Sequence, residues 1–313
     1  MSLKDYISIA RPSHWFKNIF MLPGVVVAMW LTDTFSYRLL AVGLLALISV
    51  CIIASANYVI NEWLDAEFDK YHPLKKNRPS VTGRIKAKLV FVEYAVLAVT
   101  GLSIAYFISY YFLAAALFLL VMGFLYNVKP FRTKDKMYMD VLSESINNPI
   151  RFALGWFVVT SAYLPPVSLL VAYWMGGAFL MAVKRYAELR FIGDRSTAVL
   201  YRRSFRFYTE NNLLVSILFY AMSFAFFFGV FIIKHRIELL LSLPLFSILF
   251  GWYLSLGMNS DSPAQRPEKL YRERWFMLYI LLLTMSVSLL LWVDFPRLHF
   301  FLENHFIGYS IRQ

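Results

Sequence analysis

Apolar residues along this chain gather in nine stretches, at approximately residues 15–32, 38–60, 86–108, 111–128, 139–160, 164–184, 211–233, 238–257 and 275–295. Stretches of this kind, about 17 to 25 residues long, cross the roughly 30 Å hydrocarbon core of a bilayer when helical. Four long charged segments, near 61–85, 129–138, 185–210 and 258–274, alternate with short connections such as Ser161 to Tyr163, which leads into Pro165 and Pro166. The pattern predicts an all-α, polytopic membrane protein with nine transmembrane helices. No short-period repeat, low-complexity tract or internal boundary appears, so residues 1–313 are expected to form one transmembrane domain. The first stretch follows Lys4, Arg11 and Lys17, as in a signal peptide, but has no small-residue cleavage site after it and is expected to be a retained helix.

Composition agrees: hydrophobic residues are 59% of the chain, charged residues 16%, and the mean hydropathy is +0.58. Soluble domains carry about a quarter of their residues charged, which excludes a water-facing fold. The net charge of +12 would suggest nucleic acid in a soluble protein. Here 25 of the 31 Lys and Arg fall in the N-terminal arm and the four long loops with their flanks, five fall on the opposite side, and Arg151 lies inside a stretch. The positive-inside rule then places the N-terminus and the long loops in the cytoplasm and the C-terminus, with Arg312, outside a cell membrane, and leaves no call for a nucleic-acid partner. The lone Cys51 permits no intramolecular disulfide, and His14, His72, His235, His299 and His305 show no zinc-ligand spacing.

Polar residues that intrude on membrane helices are costly and usually mark a site. Asn57, Asn61, Asp65 and Asp69 recur every four residues, a gently drifting stripe on one helix. Two carboxylates one turn apart, with an amide beyond, offer oxygens to a hard divalent cation such as Mg²⁺, which completes its shell with water and substrate phosphates. Lys75, Lys76 and Arg78 follow at once with cations suited to phosphate oxygens. The plainer alternative is a solvated helix end beside ordinary positive-inside bases.

A second polar stripe, Asp140, Glu144, Asn147 and Arg151, falls at i, i+4, i+7 and i+11 of an otherwise apolar helix and must face the bundle interior. Structurally, Glu144 is free to pair with Arg151 across two turns or with a neighbouring helix. Lys184 and Glu188 stand four apart and are able to pair with each other. The arm around Trp15, from Arg11 to Asn18, places a tryptophan where a membrane interface is expected. All four groups lie on one side by the charge count, a place for a metal-bound polyanion.

These residues resemble the UbiA superfamily of intramembrane transferases, nine-helix bundles in which two Asp-rich motifs bind the Mg²⁺-diphosphate of a substrate. Asn61-x3-Asp65-x3-Asp69 is similar to the first motif, and Tyr126 through Asp140 to Glu144 to the second. Arg-Pro-x2-Trp-x-Lys-Asn from Arg11 to Asn18, His-Pro-x-Lys-x2-Arg-Pro from His72 to Pro79, and Lys-Arg-x2-Glu from Lys184 to Glu188 together resemble its phosphoribosyl branch, the decaprenyl-phosphate phosphoribosyltransferases. Glu62 and Glu144 depart from the family pattern, standing where Asp is usual. The resemblance implies metal ligands among Asn61, Asp65, Asp69 and Asp140, and catalytic roles for Asp65, Asp69, Asp140 and Glu144. It implies substrate contacts from Lys17, Asn18, Asn57, Lys75, Arg78, Tyr126, Lys134, Asn147, Arg151, Lys184, Arg185 and Glu188.

The reaction so implied joins phosphoribosyl pyrophosphate, held through Mg²⁺, to a polyprenyl phosphate whose tail lies in the bilayer. Asp140 and Glu144 would either hold a second metal or grip ribose hydroxyls. In a second reading the same site ionises a prenyl diphosphate and an aromatic acceptor is alkylated, with lining aromatics stabilising the cation. The phosphoribosyl reading demands extra cations for a 5-phosphate, and they are present in surplus. A third reading, an ion-coupled transporter, would be favoured by broken hydrophobic segments in paired positions, of which the sequence shows no convincing pair. A homo-oligomer is open to such a bundle, but no motif demands one.

Overall fold

The computed structural model describes residues 3–72, 75–259, 262–265 and 267–298. The expected outer C-terminus with Arg312, together with His299, His305 and Arg266, lies outside the described residues. Among the described residues the chain is helical and carries no strand. An amino-terminal helix, α1 (Leu3–Ala10), leads through a 3-10 segment (Pro12–Met21) into α2 (Leu22–Thr32). The chain continues through α3 (Arg38–Asp69), α4 (Ala87–Ile108), α5 (Tyr110–Asn127), α6 (Met139–Ser145), α7 (Asn147–Val159), α8 (Val167–Ile192), α9 (Arg195–Tyr201), α10 (Glu210–His235), α11 (Leu243–Met258) and α12 (Arg274–Trp292).

Eight helical segments among the described residues are long and apolar enough to cross a membrane. The expected fifth stretch is instead two consecutive helices, α6 and α7, interrupted at Ile146. The reason is local: Pro149 has no N–H to give to the carbonyl four residues back, while it is well tolerated in the first turn of a new helix. The first stretch is also irregular, because Pro12 and Pro23 each open a helical segment. The polar stripe from Asp140 to Arg151 therefore lies on two helices rather than one.

Two helices outrun the hydrocarbon. At 32 residues α3 is about 48 Å long, so the turns carrying Asp65 and Asp69 project beyond a core of roughly 30 Å. The 26-residue α8 does the same with Lys184, Arg185 and Glu188. Apolar burial is concentrated around α7 and α8, where Phe152, Leu154, Trp156, Phe179, Ala182 and Val183 are all nearly inaccessible. Large apolar side chains on α10 and α12, among them Phe219, Phe226, Leu281 and Leu289, are more than half exposed, as a lipid-facing surface requires.

Close helix approach is written into small residues. A Cβ added to Gly24 on α2 would meet the Phe152 carbonyl oxygen at 2.0 Å, and one added to Gly155 on α7 would meet that of Met21 at the same distance. Association of helices in lipid relies on such contacts, because burial of apolar surface gains little there. The packed pair presents Asn18, just before α2, to Arg151 on α7.

Candidate functional site

The polar ends of α3, α5, α6 and α8 converge with three loops at one end of the bundle. Along α3, the Asn61 side chain donates to Asn127 Oδ1 of α5 at 2.5 Å, and Asn57 donates to the Leu119 carbonyl at 2.9 Å. Asn127 is buried and also receives Lys134 Nζ at 2.6 Å. Lys134 continues to Asp65, to which Arg132 Nη2 also donates at 3.0 Å. Arg132 is fixed in turn by the carbonyl of Asn127 at 3.0 Å and by Asp135 at 3.0 Å. This connection is strained, with φ of 26° at Arg132 and 61° at Tyr138, a sparsely populated backbone region for non-glycine residues that persists only where the surroundings impose it.

Asp69, one turn on, is buried and paired with Arg78 from the following loop. Lys75 from that loop contacts the Tyr201 hydroxyl and lies 3.9 Å from Glu188. Burial pulls the ammonium groups of Lys75 and Lys134 down to about 8, against the opposing pull of Glu188 and Asp65.

Arg185, 1% exposed, ties the second acidic group together. Its Nε donates to Asp140 Oδ2 at 3.1 Å, Nη1 to Glu188 Oε2 at 2.9 Å, and Nη2 to Glu144 Oε2 at 2.6 Å. Both oxygens of Asp140 are engaged: Tyr208 donates to Oδ1 at 2.7 Å, and Ser204 to Oδ2 at 3.1 Å, with Arg202 3.6 Å away. Burial and the adjacent Asp140 push the Tyr208 phenol up, so it stays a donor. Asp140 is wholly inaccessible, whereas the Glu144 side chain keeps 28% exposure and accepts from the Tyr126 hydroxyl at 2.8 Å.

Several expected pairings differ. Arg151 does not reach Glu144; its Nε donates to Asn18 Oδ1 at 2.9 Å. The helix break at Ile146 separates the two groups, and Arg185 of the neighbouring helix takes Glu144 instead. Glu188 pairs with Arg185 and not with Lys184. Glu62 turns away from the stripe, as its neighbouring position on α3 requires, and holds Arg11 Nη2 at 2.7 Å. Asn147 spends its amide on the Glu144 carbonyl at 3.0 Å and leaves Oδ1 buried without a partner.

Sequence reasoning passed over Arg132, Arg202, Asn127, Tyr201, Ser204 and Tyr208. Arg132 and Arg202 were counted as topology bases, and only their proximity to Asp65 and Asp140 separates them from Lys136 or Arg195. The phenols carried no spacing signal.

A divalent cation fits the first motif by donor chemistry. Asp65 and Asp69 each have one carboxylate oxygen without a protein partner among the described residues, and the amide oxygen of Asn61 accepts no hydrogen bond there either. All three are hard oxygen donors. No three Asp, Glu, His or Cys side chains among the described residues are placed to hold one metal ion between them, so such an ion would rely on water and substrate oxygens, as Mg²⁺ commonly does.

The profile of the UbiA prenyltransferase family matches residues 19–280. Decaprenyl-phosphate phosphoribosyltransferase of Mycobacterium tuberculosis is 29% identical over 208 residues, which cover 66% of this chain and 67% of that one. The enzyme of the same name from Mycolicibacterium smegmatis is 28% identical over 221 residues, covering 66% of this chain and 63% of that one. Among solved structures, a UbiA homologue from Archaeoglobus fulgidus bound to DMAPP and Mg²⁺ superposes with a TM-score of 0.65 at 20% identity, over 91% of this chain and 99% of that one.

Proposed function

This chain belongs to the UbiA prenyltransferase family, and on that premise we propose that it transfers a 5-phosphoribosyl group from phosphoribosyl pyrophosphate to a polyprenyl phosphate. The observation that carries this reading is the surplus of cations around the carboxylates. Arg78, Arg132 and Lys134 contact the two acids of the first motif, while Lys75, Arg185 and Arg202 line the space beside them. A prenyl diphosphate brings one diphosphate; phosphoribosyl pyrophosphate adds a 5-phosphate and needs the additional positive charge. The relatives named as decaprenyl-phosphate phosphoribosyltransferases support the same choice.

Asp65, Asp69 and the amide oxygen of Asn61 would hold a divalent cation, with Arg78, Arg132 and Lys134 turning from the acids to the diphosphate oxygens. A cation bound there supplies charge neutralisation for the departing diphosphate. Glu144, partly open and oriented by Arg185 and Tyr126, grips ribose hydroxyls. Asp140, with both oxygens engaged, positions Arg185, Tyr208 and Arg202, and this is a positioning role rather than the metal-ligand and catalytic role expected for it from the sequence. The acceptor phosphate is already ionised, so its oxygen attacks the anomeric carbon without a general base. Guanidinium and ammonium groups gathered in a site of low dielectric stabilise the diphosphate that leaves. By the distribution of Lys and Arg, this chemistry faces the cytoplasmic side of a cell membrane.

One two-way assay tests the reading. Purified protein in nanodiscs receives Mg²⁺ with either labelled phosphoribosyl pyrophosphate and a polyprenyl phosphate, or a prenyl diphosphate and an aromatic acid. A lipid-extractable sugar phosphate in the first arm is expected; a prenylated aromatic in the second arm alone overturns the proposal.

A further inference from the structure

A separate cavity of about 550 Å³ lies between the end of α3 and the 3-10 segment that follows α9 (Arg203–Arg206). Asp65, Asp69, Asp140 and Glu144 do not line it. Its size is ordinary for a small-molecule site. Lys70 and Tyr71 on its wall follow directly on α3, the helix that outruns the hydrocarbon, so the cavity lies on the water side of the bilayer. Its cations rest on rings. Arg203 lies 5.3 Å from the centroid of the Phe68 ring, Lys70 4.9 Å from that of Tyr71, and Arg206 5.9 Å from that of Phe207. Lys70 and Arg206 have no carboxylate within ion-pair distance among the described residues, and Arg203 has only Asp135, at 4.0 Å.

A cation resting on a ring face keeps its N–H groups for an incoming anion, whereas one spent on a carboxylate does not. Tyr71 is 38% and Phe207 58% exposed, so both keep ring surface on which a planar group can stack. From these cation–ring pairs around one cavity we infer a second, regulatory site that binds a nucleotide. Its base stacks on Tyr71 and Phe207, and its phosphates take Lys70, Arg203 and Arg206. Two acids also stand on the wall: Asp135 is engaged by arginines, and the exposed Glu67 offers its oxygens to ribose hydroxyls. Ring and charge together select this class, because inorganic phosphate or a phospholipid headgroup would leave the exposed aromatics uncovered.

The cavity shares a wall with the site. The Phe68 ring that carries Arg203 also carries Arg132, 4.6 Å from its centroid. Asp135 accepts from Arg132 at 3.0 Å as well as facing Arg203, and Arg132 donates to Asp65 at 3.0 Å. A phosphate that draws Arg203 away leaves Asp135 to Arg132 alone. The hold of Arg132 on Asp65 then weakens, and Asp65 is released towards a metal. Occupancy therefore lowers the free Mg²⁺ concentration that activity requires. This coupling rests on the metal role proposed above; the nucleotide site itself does not.

Equilibrium dialysis of radiolabelled ADP against the full-length protein in nanodiscs, with EDTA present, tests the site. Wild type is expected to bind ADP about tenfold more tightly than adenosine, through the phosphates. Arg206→Gln and Phe207→Ala, both at exposed positions whose change spares the fold, should each weaken ADP about tenfold. Affinity for Mg²⁺-phosphoribosyl pyrophosphate should stay within about twofold of wild type in both, whereas Arg78→Gln should weaken that ligand and spare ADP. Equal loss of both ligands in Phe207→Ala would make the cavity an annex of the donor site and overturn the inference. So would unchanged ADP binding in both variants, or ADP bound no better than adenosine. Loss of ADP binding in nanodiscs containing phosphatidylglycerol would hand the cations to a lipid headgroup and overturn it too. For the coupling, saturating ADP is expected to lower the free Mg²⁺ concentration for half-maximal activity about threefold in wild type and to leave it unmoved in Asp135→Asn. An unmoved curve in active wild type overturns the coupling. A protein that binds ADP as expected but never consumes phosphoribosyl pyrophosphate keeps the site and loses the donor assignment.

Discussion

Arg185 Nη2 on α8 lies 2.6 Å from Glu144 Oε2 on α6, and the same guanidinium reaches Asp140 and Glu188, so one buried cation balances three acids. Removing it leaves those acids without their shared partner. Breaking a buried pair from one side costs about 3–5 kcal/mol. Arg185→Gln is therefore expected to lose at least that much stability in a denaturant titration in mixed micelles, and to lose transfer as well. A variant as stable as wild type would show that the acids find other partners.

Asp65→Asn and Asp69→Asn remove the proposed hard ligands while leaving the amide free to accept Arg132, Lys134 or Arg78. Each is expected to lower Mg²⁺-dependent transfer by about 10²–10³, the cost of losing one prearranged electrostatic partner, with the folded state retained. Undiminished turnover in nanodiscs removes the metal role.

Glu62 is 3% exposed and holds Arg11 of the amino-terminal arm. Glu62→Gln should cost a few kcal/mol by leaving the Arg11 charge without a counter-charge, yet leave the Mg²⁺ concentration for half-maximal activity unchanged. A rightward shift of that Mg²⁺ curve would instead make Glu62 a ligand.

Burial sets Lys75 at about 8, below the usual lysine value, so the free protein loses this ammonium as pH rises through about 8. A phosphate-bearing substrate favours the charged form, so binding at pH 8.5 is expected to take up protons and affinity to fall above pH 8. Calorimetry of phosphoribosyl pyrophosphate binding in buffers of different ionisation enthalpy reads the uptake directly, and Lys75→Arg should reduce it. Identical heats in every buffer would refute this.

Gly155→Ala places a Cβ against the Met21 backbone carbonyl, 2.0 Å away. Backbone cannot swing aside as a side chain does, so α2 and α7 must separate, at about 1–3 kcal/mol for overpacking. A thermal shift in detergent measures it.

The first motif was legible because its four polar positions share one continuous helix, and a regular helix converts spacing into a shared face. The second was only half legible. Its spacing assumed that same regularity, but Pro149 interrupts the helix, so Arg151 turns to Asn18 and Glu144 to Arg185. The pairing of Glu188 eluded the i, i+4 rule for a related reason: a guanidinium already oriented by two other acids outcompetes a flexible ammonium.

The sequence alone determined that this chain crosses a membrane on helices, that its bases gather on one face, and that paired carboxylates stand among them. Each follows from local terms: the cost of apolar surface in water, the cost of charge in lipid, and the period of the helix. Tertiary structure decided which cation meets which acid. Partners such as Arg132 and Asp65, or Lys75 and Glu188, come from segments far apart in the chain, and only packed small residues and prolines bring them together. The same packing leaves Arg151 without an acid, a vacancy of charge that no spacing in the chain reveals.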